Sequence, residues 1–194
     1  MIQINPTYRY TVAGLPGQGK TVFARHIIKQ LKTSGVDTVI YDPMAQYTDL
    51  DSYVPKYFAT EYQMPEFDDI AMQIWDKRNV FFVVEEVENF LPQAGRRSGI
   101  MWRIINMGRN YGLGVLAVTR RISNMDKTMF SLSDKTFIFR LFSPNDLEYC
   151  RGFIGKSADT LLPKLKCGYY LQCTSTAVTL HEPVPWDGKG KPVN

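Results

Sequence analysis

The sequence predicts an α/β domain with a mostly parallel central sheet. Short β-branched and aromatic runs alternate with amphipathic segments whose apolar residues recur every three or four positions. One run, Val80-Phe81-Phe82-Val83-Val84, is unbroken, as expected of a strand buried on both faces of a parallel sheet. With 194 residues, 44% hydrophobic and 22% charged, the chain can build a sizeable core. Residues 1–185 therefore read as one domain and 186–194, rich in Gly, Lys and Pro, as a flexible tail.

The elements follow in order. Tyr8–Ala13 is a strand that leads into the glycine-rich turn Gly14–Thr21. Phe23, Ile27 and Leu31, with Ala24 and Ile28 beside them, form one helical stripe that Ser34-Gly35 stops. Val36–Asp42 is a second buried strand, ended by Pro43. Residues 44–65 carry turn residues and scattered aromatics without a usable period. Pro65–Lys77 reads as a helix, and Val80–Val84 as the next strand. Gly95 and Ser98 open a helix with Ile100, Ile104, Met107 and Tyr111 on one face, and Gly112 or Gly114 ends it. Gly114–Thr119 and Thr136–Phe142 are strands, Pro144–Arg151 a short helix, and Gly168–Leu180 a terminal strand or hairpin.

The turn Gly14-Leu15-Pro16-Gly17-Gln18-Gly19-Lys20-Thr21 fits G-x-x-x-x-G-K-[ST] and lies between a strand and an amphipathic helix, the context this phosphate-binding loop requires. Its glycines let the backbone wrap an anion, and N–H groups from Gly14, Gly17, Gln18, Gly19 and on to Val22 face it. Lys20 reaches the β- and γ-phosphates of ATP, and the Thr21 hydroxyl is a ligand for Mg²⁺. The strand Val80–Val84 ends in Glu85-Glu86, two carboxylates where an open sheet places its ligand crevice. One can hold the magnesium shell, and its neighbour can orient and deprotonate an attacking water; Glu88 reads as facing water.

Other classes are excluded or disfavoured. Composition rules out a disordered or collagen-like chain, and three cysteines without CxxC spacing argue against a disulfide scaffold or zinc site. No uncharged run exceeds the fourteen largely polar residues Cys167–Leu180, short of the roughly 18 apolar residues a membrane span needs. The N-terminus lacks secretory-signal features. An N-K-x-D guanine-reading motif is missing, and an acidic pair beside the γ-phosphate favours water as nucleophile over a kinase acceptor. The net charge of +4 says little, but the 37 residues Asn89–Met125 hold six arginines and no acid. Arg96, Arg97, Arg103 and Arg121 are candidates for a phosphate-backbone surface. Trp102 and Tyr111 read as core residues, and His26 and His181 as structural.

The ordered set GLPGQGKT, VFFVVEEVENFLP, MGRNYGLGVLAVTRR, FIFRLFSPNDLEY and LPKLKCGYYLQC resembles the FtsK/HerA superfamily of DNA-pumping ATPases over about residues 8–180. The resemblance implies a RecA-like P-loop core with an extra strand between the two nucleotide-binding strands. It also implies a homo-oligomeric, hexameric ring around double-stranded DNA. Carried over, Lys20 and Thr21 take the phosphate and metal roles, Glu85 (Walker B) the metal-side acid and Glu86 the base. Thr119 with Arg120 falls at the sensor strand end, and Arg109 is the candidate arginine finger given to the next subunit. Two departures stand out: relatives usually carry Asp where Glu85 stands, and Gln where Arg120 stands. The compact motor core is similar to genome-packaging ATPases of membrane-containing double-jelly-roll viruses. The implied function is pumping double-stranded DNA into a capsid through a portal vertex, in the virion or the host cytoplasm. A filamentous-phage export ATPase of the zonula-occludens-toxin type and a P-loop small-molecule kinase are the alternatives.

Overall fold

Alternation along each strand sorts side chains onto two faces of one sheet. Seven strands form in the computed structural model, which describes residues 2–188: β1 (Arg9–Ala13), β2 (Thr38–Tyr41), β3 (Phe81–Val84), β4 (Gly114–Thr119), β5 (Lys135–Ile138), β6 (Tyr170–Cys173) and β7 (Val178–His181). Their order is β2-β3-β4-β1-β5-β6-β7. The first five run parallel, and β6 and β7 extend the β5 edge as an antiparallel hairpin. β4 therefore stands between the strand entering the phosphate loop and the strand ending in the acidic pair, the RecA-like arrangement the resemblance implied.

The helices are α1 (Lys20–Thr33), α2 (Gln63–Lys77), α3 (Gly99–Met107), α4 (Lys127–Ser131), α5 (Pro144–Ile154) and α6 (Ser157–Leu161). Phe82, Val84, Val115 and Ala117 pack with Phe67 and Ile74 of α2 and Met101 and Ile104 of α3. Their strand neighbours Phe81, Val83, Leu116 and Val118 pack with Phe23, Ile27 and Leu31 of α1. Burial on both faces explains why β3 and β4 read as continuous apolar runs. Phe23 is the hinge of the second core, with ring centroids 4.7 Å from Phe137 and 4.8 Å from Tyr170. A buried aromatic ring of this kind contributes about 2–3 kcal/mol. That packing holds α1, and with it the phosphate loop, against the sheet.

Caps follow the local sequence. Ser98 accepts from Met101 N at 3.0 Å and starts α3. α3 ends at Met107, and a 3₁₀ turn over Gly108–Tyr111 carries the chain to Gly112 at φ 74°. A Cβ at Gly112 would lie 2.1 Å from the Asn79 Oδ1, so this turn needs glycine on two counts.

Three differences from the sequence reading have local causes. β5 stops at Ile138 rather than Phe142, because Phe139 and Arg140 turn to serve the phosphate loop: Phe139 N donates to Ala13 O at 2.8 Å and Arg140 O accepts from Leu15 N at 3.1 Å. α4 and α6 were not expected; each has only five residues, too few to display a period. The expected helix at Pro144–Arg151 forms as α5 and runs on to Ile154. Trp102, expected in the core, is 37% exposed, with the Arg97 guanidinium 5.1 Å from its ring. Of the expected flexible tail, Asp187 pairs with Arg25 and Lys29, and residues 189–194 lie outside the described residues. Among the described residues no helix is long and apolar enough to cross a membrane.

Candidate active site

The phosphate loop is a backbone structure held from outside. Gly14 has φ 154°, and a Cβ there would fall 2.6 Å from the Phe139 Cβ, so the turn can hug β5 only with glycine. Gly17 (φ 75°) and Gly19 (φ 94°) take left-handed conformations that aim successive N–H groups to one side. Gly19 is the N-cap of α1 and supplies no side-chain cap, so the helix N-terminus is left for an anion. On the outer side Gly168 N donates to Gln18 O at 3.2 Å and Cys167 Sγ to Gly17 O at 3.1 Å. Lys20 Nζ folds onto Leu15 O at 3.0 Å. Val22 is buried and points into the protein, so its part in any anion contact is through its backbone.

The parallel register brings the remaining groups to the same end. Ala13 of β1 pairs with Thr119 of β4, and Val84 of β3 with Ala117, so Glu85 and Glu86 emerge beside Thr119 and Arg120. A cavity of about 190 Å³ is lined by Gly17, Lys20, Thr21, Glu85, Glu86 and Thr119, with Pro16, Met44, Gln46, Val118 and Arg120 completing it. A wider open groove of about 630 Å³ between α4 and α5 holds none of the phosphate-loop residues.

The two carboxylates have different surroundings. Glu85 is 9% exposed, and its Oε1 accepts from the buried Tyr47 hydroxyl. Burial pushes its pKa up to about 7 against the opposing pull of Tyr47 and Lys20. Burial likewise pushes the Lys20 ammonium down to about 8, with Glu85 opposing that shift. Glu86 sits in a left-handed conformation (φ 53°, ψ 45°), uncommon for a residue with a Cβ, and pairs with Arg120. Thr119 engages its own chain: its hydroxyl donates to Arg121 O and accepts from Arg121 N, both at 3.1 Å. Glu88, expected to face water, instead folds onto the end of β4, where Arg120 N donates to it at 3.2 Å and burial raises its pKa.

The arginines divide by partner. Arg96 is exposed. Arg97 pairs with Asp126 at 3.0 Å, and Arg103 lies 4.3 Å from the Trp75 ring. Arg121 turns inward, 2.8 Å from Asp146, whose side chain is fully buried, and 2.9 Å from the Ser143 hydroxyl. Arg109 sits at the opposite end of the sheet from the loop, over the Tyr8 ring at 4.7 Å and 3.6 Å from Asp134.

Sequence reasoning missed the 42–53 loop. Thr21 Oγ1 donates to Gln46 Oε1 at 2.8 Å, and Arg25 of α1, 1% exposed, donates to Asp49, Asp187 and Gln46 O. No local spacing announces these links.

A donor set of a hydroxyl and a carboxylate facing one cavity suits Mg²⁺, a hard cation that keeps most of its shell as phosphate oxygens and water. Among the described residues no three acidic, His or Cys side chains are grouped so as to hold a metal ion.

Fold and loop together define a P-loop domain of the RecA-like type. The chain resembles FtsK/HerA-like P-loop ATPases, compact viral packaging ATPases among them. A 91-residue stretch is 30% identical to the DNA double-strand break repair helicase HerA of Pyrococcus furiosus, covering 43% of this chain and only 16% of that protein. The genome packaging NTPase B204 of Sulfolobus turreted icosahedral virus 2, in complex with AMPPCP, superposes with TM-score 0.78 at 17% identity over 93% of this chain and 100% of that one. The N-terminal domain of zonular occludens toxin from Neisseria meningitidis matches at TM-score 0.53 and 11% identity, over 93% of this chain and 95% of that one. No protein-family model matches. At these identities the structural likeness establishes the fold.

Proposed function

We propose that this chain is an ATP hydrolase that drives double-stranded DNA, as the genome-packaging motor of a virus. The observation that carries the reading is the meeting of Lys20, Thr21, Glu85 and Glu86 in one cavity at the strand ends. In this reading Gly14–Gly19 and the α1 N-terminus hold the β-phosphate, and Lys20 leaves Leu15 O to bind the γ-phosphate. Thr21 and Glu85 would hold Mg²⁺, which would supply charge neutralisation to the phosphates. Glu86 orients and deprotonates the attacking water once the γ-phosphate draws Arg120 away from it. Thr119 and Arg120 then report the γ-phosphate to β4.

Coupling belongs to the assembly. Arg109 is offered to the nucleotide of the next subunit in a hexameric ring, and Arg96, Arg97 and Arg103 supply the cationic surface for the DNA backbone, whereas Arg121 is committed to Asp146. A capsid or portal-vertex protein is the expected partner, in the virion or the host cytoplasm. Likeness to the packaging NTPase is greater than to the toxin domain, which favours packaging over filamentous-phage export.

Glu86→Gln tests the chemistry. The variant should bind ATP as the parent does and lose hydrolysis by at least about 100-fold, the usual contribution of a general base. Phosphate release at the parent rate would remove Glu86 from the mechanism. In the parent, turnover should rise with added duplex DNA; a requirement for a second small substrate would instead support the kinase reading.

A further inference from the structure

Both candidate ion ligands are gripped by one loop, residues 42–53. We propose that Gln46 and Tyr47 are positioning residues for the divalent-ion site, each setting the direction in which one ligand offers its oxygen. This rests on the reading of Thr21 and Glu85 as ion ligands given above.

The geometry at Thr21 is specific. A hydroxyl has one proton and two lone pairs. Donation to Gln46 Oε1 at 2.8 Å commits the proton and leaves a lone pair for a cation. At Glu85, the Tyr47 hydroxyl occupies Oε1 and leaves Oε2 free to face the ion or its water. Tyr47 is fully buried, so solvent does not compete for its hydroxyl, while Glu85 still lines the cavity.

The loop is tied down by hydrogen bonds where it delivers these groups. The buried Asp42 carboxylate accepts from Gln46 N at 2.9 Å, Tyr47 N at 2.7 Å and Ser52 Oγ at 2.9 Å. From the other side Arg25 donates to Gln46 O at 3.1 Å and grips Asp49 with bonds of 2.9 and 2.7 Å. Gln46 itself is exposed and adds nothing to either core, so folding gives no reason for its side chain to reach Thr21. Partners of ligating groups orient them and typically set 10- to 100-fold of metal affinity.

The test separates ion binding from nucleotide binding and from folding. Mn²⁺, followed by paramagnetic resonance, is titrated into full-length protein saturated with a nonhydrolysable ATP analogue. Fluorescent-nucleotide binding in EDTA and thermal unfolding are measured alongside. Tyr47→Phe and Gln46→Leu should each weaken Mn²⁺ at least about 10-fold and leave EDTA-condition binding within about twofold. Gln46→Glu, which can still accept the Thr21 proton, should restore most of the loss. Parent-like Mn²⁺ affinity in both variants would overturn the proposal while leaving the site reading intact, as would equal losses with and without the ion. A parent protein whose nucleotide binding ignores Mn²⁺ would overturn the site reading and this proposal together.

Discussion

At the scale of single residues, what a side chain can do is decided by what already holds it. Arg121 and Arg96 look equivalent in the arginine-rich stretch, yet their surroundings differ. Asp146 is fully buried and takes three bonds: Arg121 Nε at 2.8 Å, Ser123 Oγ at 2.7 Å and Ser123 N at 3.1 Å. Removing the guanidinium leaves a buried carboxylate short of its countercharge. Because Arg121 is 41% exposed, the penalty is below the full cost of breaking a buried pair, at about 2 kcal/mol. Arg121→Ala should therefore lower the thermal midpoint by roughly 4–8 °C, with Arg96→Ala within about 1 °C. Equal midpoints in calorimetry would show that Asp146 does not depend on Arg121. The sequence shows six arginines but not which are spoken for, since Asp146 lies 25 residues from Arg121. The same blindness applies to Glu88, whose place against Arg120 N depends on the β3–β4 pairing and not on its neighbours in the chain.

Secondary-structure elements show why some of the site was legible and some was not. α1, β3 and β4 declare themselves because each reads its environment locally: a helical stripe for one apolar face, unbroken apolar runs for two. The phosphate loop is legible for the same reason, since its glycines answer a backbone demand within eight residues. The 42–53 loop has no period, and its order comes from contacts made across the fold. Arg25 is the clearest of these, a charged residue 1% exposed on the helix that follows the phosphate loop. It joins that helix to Asp49, to the backbone of Gln46 and to Asp187 near the C-terminus. Arg25→Met keeps the length and apolar stem but leaves Asp49 and Asp187 without this partner. The expected cost is about 2–4 kcal/mol, tempered by the 39% exposure of Asp49. Hydrogen exchange should locate the damage: amides of residues 42–53 should exchange faster, while those of β1 and β4 keep their protection relative to global stability. A uniform loss across the sheet would mean that Arg25 supports the fold as a whole and not this loop in particular.

Across the whole molecule, the position of Arg109 constrains how it can serve catalysis. It precedes β4, whereas the cavity lined by Lys20, Thr21 and Glu85 lies at the other end of that strand. Five residue steps along a strand cover roughly 17 Å, more than an arginine side chain spans. Arg109 therefore cannot reach the phosphate loop of its own chain, and a catalytic role requires a second copy. Its present partners would release it cheaply: the Asp134 contact is 3.6 Å, with the Arg109 side chain 49% exposed, and such surface pairs contribute about 1 kcal/mol or less. Hydrolysis should then rise more than linearly with protein concentration until assembly saturates. Mixing provides the sharper measurement. Arg109→Ala and Glu86→Gln subunits should each be nearly inactive alone. In an equal mixture, half of the sites keep Glu86 and half of those face an intact Arg109, so about a quarter of parental turnover should return if sites act independently. A mixture as inactive as its components, under conditions where light scattering shows mixed assemblies, would remove Arg109 as the residue supplied between subunits.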